Sequence, residues 1–242
     1  MSVIPSRLVA PLALALLAAC RTPGPTAAID PALSERVPAA TVTLAGVDLD
    51  RFRVSPLYAR LPPAALAFLA PFAHAHRVLI ASTGVELLTI ARGVVPGATQ
   101  IAPDVALSGA PSLVAAAIAA HPPAGILGPA ESVAAAARPV WIAVRGGVAL
   151  PLEGNLANVN NLLRVAEYIT FALDPGDPAD LRLVARCPTP EAALHVEQSV
   201  RALVSLAMSR TAVLKSIRIV RDERVVHVSL SAPLDELVEL VF

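Results

Sequence analysis

Histidines and asparagines are the residues of this chain whose spacing comes nearest to a chemical site. His74 and His76 lie two apart, so in an extended segment their imidazoles point the same way, and His121 is a more remote third. A closed zinc site needs four ligands, or three and a water. No cysteine or acid stands close to the pair in sequence, so the pair reads as solvated histidines at a helix end and no metal is assigned. Asn155, Asn158, Asn160 and Asn161 follow Gly154 and precede an apolar stretch. Four amides in one cleft would suit a sugar or a peptide. The simpler arrangement has Asn155 capping a helix and the others on its exposed face. If the chain binds a ligand, this cluster is the first place to look.

Nucleophilic chemistry has less support. The chain contains no Gly-x-Ser-x-Gly elbow and no Ser-x-x-Lys, and Ser108-Gly109 lacks the preceding glycine. Neither Gly-x-Gly-x-x-Gly nor Gly-x-x-x-x-Gly-Lys occurs, so nothing points to a nucleotide. Glu86, Glu131 and Glu153 are acids with no spacing that pairs them. No catalytic residue and no cofactor is assigned, and the chain reads as a non-enzyme.

The 19 basic and 19 acidic residues cancel, which disfavours a nucleic-acid partner. Hydrophobic residues make up 55% of the chain and aromatics 3%. That share excludes a disordered chain, and its alanine-rich character does not suit a polytopic membrane protein.

The N-terminus carries an address. Arg7 precedes an apolar run from Leu8 to Ala19, too short for the roughly 20 residues that span a bilayer and therefore a cleaved secretion signal. The run ends Leu17-Ala18-Ala19-Cys20, which resembles the bacterial lipobox. That resemblance implies cleavage between Ala19 and Cys20 and acylation of Cys20, with the lipid bilayer as first partner. Acyl chains anchor at about 0.8 kcal/mol per buried methylene. Arg21 stands where an aspartate would retain such a protein in the inner membrane of a Gram-negative cell, so the resemblance places it at the outer membrane, facing the periplasm. An acylated Cys20 leaves Cys187 no partner for an intramolecular disulfide. Cys187 shares the phase of Leu181, Leu183 and Ala185 and reads as a small core residue.

Elements to position any site follow from periodicity. Residues 20–40 hold Pro23, Pro25, Pro31 and Pro38 and suit an extended tether. A strand starts near Thr41, with a bulge expected at Gly46. Two short helical pieces, interrupted by Pro62, Pro63 and Pro71, occupy 55–73, and a hairpin turns at Thr83-Gly84. A strand at 105–108 and a helix opened by Pro111 complete a first module, 41–121. The proline- and alanine-rich stretch 121–138 divides the chain.

The second module, 139–242, starts with the strand that carries Trp141, followed by a helix over 155–167 and strands at 168–173 and 181–187. Thr189 and Pro190 open a long helix with Ala193, Val196, Val200, Leu203 and Val204 on one stripe. A hairpin around Asp222-Glu223 and a helix from Leu234 end the chain. Each half is an antiparallel sheet with helices on one face, an α+β class. The pattern resembles uncharacterised two-module envelope proteins, and that resemblance implies no catalytic residues. The expected role is a non-enzymatic envelope interaction or scaffold protein. The alternative is a small-ligand or lipid-binding module with a cavity between sheet and helices.

Overall fold

The computed structural model describes residues 29–119, 121–134, 137–148, 159–208 and 212–241. The signal peptide, Cys20 and the start of the tether lie outside these residues. From Ile29 onward the expected tether is instead part of the fold. Asp30 accepts a hydrogen bond from the Ala32 N–H at 3.0 Å and caps α1 (Pro31–Ser34). Ile29, Leu33 and Val37 are buried in the main core. Leu33 on α1 and Ile29 and Val37 on either side of it enter that core, and their burial outweighs the proline-rich composition.

Among the described residues ten strands form one antiparallel sheet. β1 (Thr43–Asp48) leads through α2 (Leu49–Arg53), a 3₁₀ turn at Tyr58–Arg60, α3 (Pro63–Leu69) and a second 3₁₀ turn at Ala70–Phe72 into β2 (His74–Ser82). β3 (Leu87–Val94), β4 (Thr99–Ala102) and β5 (Val105–Gly109) precede α4 (Pro111–Ile118) and α5 (Leu127–Ala134). The second half runs β6 (Val140–Arg145), α6 (Val159–Val165), β7 (Tyr168–Asp174), β8 (Ala179–Arg186) and α7 (Pro190–Met208). It ends with a 3₁₀ turn at Ala212–Ser216, β9 (Arg218–Asp222), β10 (Val225–Ala232) and α8 (Leu234–Val241).

The strand order, β4-β5-β3-β2-β1-β6-β7-β8-β10-β9, reads outward from the β1–β6 pair with the same sequence of steps on each side. The stretch expected to divide the chain does not separate two bodies. β1 pairs with β6 along its length, and α5, which lies in that stretch, puts Ala130, Val133 and Ala134 into a core that also contains Leu79, Trp141 and Ala172.

Alternation along the strands decides which face each side chain joins. Leu44, Leu79, Ile90, Leu107, Trp141 and Ala172 share the front face, under α1, α4 and α5. Over the first half the back face carries Val78, Ala91 and Ala106 beneath α2 and the end of α3. Over the second half it carries Ile169, Ala185, Val226 and Leu230 against α6, α7 and α8. Helices therefore cover both faces of the first half, where one covered face was expected.

Gly46 is not a bulge, because the registers of β1 with both neighbours run unbroken through it. It faces Trp141 directly, and a Cβ there would fall inside the indole ring. The glycine is required for space.

The expected hairpin is present between β2 and β3. Gly84 takes a φ of 92°, its N–H donates to Ser82 Oγ at 3.0 Å, and the Glu86 N–H donates to Thr83 Oγ1 at 3.2 Å. α7 opens as its sequence requires, with the Ala192 N–H donating to Thr189 Oγ1 at 3.2 Å. The edge strand β9 is clipped to α7 by Glu197, which meets Arg201 and Arg221 at 2.9 Å each. Arg201 also donates to the Ile219 carbonyl at 3.1 Å. Two guanidinium groups hold the Glu197 carboxyl below its ordinary value, Arg201 most strongly.

Candidate functional site

The residues singled out in the sequence do not assemble into one site. Cys20, Ala19, Asn155 and Asn158 lie outside the described residues. Asn160 and Asn161 sit on α6. Asn161 is exposed, and its Oδ1 accepts from Arg164 Nη2 one turn on, at 3.0 Å. That bond is an ordinary surface pairing along one helix face.

His74 and His76 stand exposed at the start of β2, just past the 3₁₀ turn Ala70–Phe72. His76 Nδ1 lies 3.0 Å from Asp50 Oδ2, so an acid does accompany the pair, supplied by α2 from 26 positions away. Among the described residues no three metal-ligating side chains gather. Cys187 is wholly buried among Ala185, Ala193 and Val226. Burial, and then the Glu167 charge, push its thiol pKa up and hold it in the unreactive protonated form.

Two surface features escaped the sequence reading. One is the segment between α2 and β2. No side chain of α3 is buried, and Phe68 is 67% and Val54 84% exposed. Its frame is nevertheless fixed. Arg53 donates to the carbonyls of Phe72 and Ala75, and Leu69 and Phe72 pack on the back-face core. Tyr58 meets the Phe52 ring edge-on at 5.8 Å between centroids. Arg60, the one charged residue between Val54 and Ala73, reaches Asp177 at 3.5 Å and Asp235 at 3.2 Å in the second half.

The other feature is a cleft of about 510 Å³ on the front side, where the ends of α1 and α4 meet α5. Ile118, which is 50% exposed, and Leu127 provide its apolar lining, and Glu35, Arg36 and Glu131 its charges. His121 also lines it. The His121 Nδ1 lies 3.0 Å from the Pro122 carbonyl, and its Nε2 is buried with no hydrogen-bond partner. The cleft lies among helices, whereas the cavity weighed from the sequence was between helices and sheet. No periodic signal marks it, because it joins residues some 95 positions apart.

No helix among the described residues is long and apolar enough to cross a membrane. No protein-family model matches the sequence, and no curated protein matches it. The fold is similar to that of TP0453 as seen in its crystal forms I and III, each with a TM-score of 0.54 at 9% sequence identity. The likeness covers 89% of this chain, 98% of the form I chain and 99% of the form III chain. At that identity the resemblance is one of fold: a large antiparallel sheet with helices, in a protein of the α+β class.

Proposed function

We propose that this chain is a non-enzymatic lipoprotein, held to the outer membrane by acyl chains on Cys20 and facing the periplasm, that works by contacting another envelope protein. The lipobox-like Leu17-Ala18-Ala19-Cys20 supports the anchor. The observation that carries the contact role is the exposed apolar surface of α3 and its flank, Val54, Leu66 and Phe68, on a braced frame. Burying such a side chain in an interface is worth roughly 1.5–3 kcal/mol relative to leaving it in water.

The test is in-cell photocrosslinking from position 68, with position 223 as an exposed control on the far hairpin. The expected result is a single recurrent protein adduct from position 68, absent from position 223 and lost with Leu66→Asp. A solitary lipoprotein, or the same adducts from both positions, refutes the contact role. Membrane fractionation tests the anchor separately, since replacing residues 1–20 with a secretion signal that is cleaved without acylation must release the chain.

A further inference from the structure

We infer that the cleft among α1, α4 and α5 binds a small zwitterion with an apolar side chain, of the class of a free peptide two or three residues long. Its volume, about 510 Å³, falls within the range of roughly 300–1,000 Å³ typical of small-molecule sites.

Both signs of charge flank the apolar lining. Glu35, Arg36 and Glu131 form no ion pair with any described residue, whereas Arg92 nearby in the same half engages both Asp30 and Asp104. Arg36 is a planar fork that matches a carboxylate. Glu35 and Glu131 suit an ammonium group, and α4 ends in the cleft wall at Ile118, where a helix C-terminus adds negative potential. Two acids and a helix C-terminus against one arginine disfavour a simple anion. An arginine in the same lining disfavours a simple cation. Ile118 and Leu127 offer a branched side chain a partly desolvated seat.

The experiment titrates full-length protein in detergent micelles with leucyl-alanine, followed by calorimetry. N-acetyl-leucyl-alanine lacks the ammonium group and leucyl-alanine amide lacks the carboxylate. The expected result is one saturable site per chain, with either blocked form at least tenfold weaker. Arg36→Gln must weaken the free dipeptide about tenfold and leave the amide unchanged. Glu35→Gln with Glu131→Gln must weaken the free dipeptide and leave the acetylated form unchanged. A merely structural effect of these variants would move all three ligands together. Thermal melting should stay at the parent value, because these side chains have no ion-pair partner to lose among the described residues. Absence of saturable binding, equal affinity for the three ligands, or a uniform effect of the variants overturns the assignment.

Discussion

Gly46→Ala is expected to destabilise the protein by about 2–3 kcal/mol, and nearly all of that cost should vanish when Trp141 is also replaced by alanine. The added methyl occupies the volume of the indole, which is only 6% exposed in the core between the two halves. Forcing extra volume into a packed core costs roughly 1–3 kcal/mol, and losing a Trp side chain altogether roughly 3–5. A ring displaced but not deleted falls between these limits. Gly46 has no positive φ that alanine would resist, and the three atoms nearest the added methyl all belong to the indole, so the Trp141→Ala background removes the clash. There alanine should gain about 0.5 kcal/mol, because it loses less backbone freedom than glycine on folding.

The assay is a double-mutant cycle by urea unfolding, followed by far-ultraviolet circular dichroism so that loss of the tryptophan does not matter. A coupling energy of about 2 kcal/mol or more is expected, against additivity to within about 0.5 for independent sites. Additive costs would show that the ring and the glycine do not compete for one volume. In Gly46→Ala alone, Trp141 emission should move to longer wavelength as the ring is pushed towards water. Because β1 and β6 join the halves, unfolding of the parent protein should show one transition.

Other outcomes follow from single contacts. Thr189→Ala should lower stability by about 1 kcal/mol through loss of the α7 cap, read as a lower urea midpoint with an unchanged slope. The Glu197 carboxyl is held below its ordinary value of 4.5, so its contribution is complete above that pH and is lost as the pH falls through the lower folded-state value. The protection factors of the β9 amides, which correct for the intrinsic slowing of exchange by acid, should therefore fall on acidification below pH 4.5, and Glu197→Gln should remove that fall. Cys187 should resist a maleimide in the native protein and react fully in urea, since its thiol is buried and protonated. Rapid native labelling would contradict that placement.

Local signals in the chain were enough for much of the architecture. Thr189 and Pro190 announce α7, Thr83-Gly84 the β2–β3 turn, and the alternation of Val226, Val228 and Leu230 the phase of β10. Each depends on bonds or side-chain periods spanning a few residues, so the sequence by itself determines them. Tertiary contacts decided the rest. Gly46 looks like a bulge until the facing strand shows Trp141 above it. The proline-rich segment after Ile29 looks like a tether until Leu33 and Val37 find a core to enter. His76 appears solitary because Asp50 arrives from another element. The cleft and the bare face of α3 depend on which surfaces remain uncovered once ten strands share one sheet. Burial is a property of the assembled whole, and no local spacing encodes it.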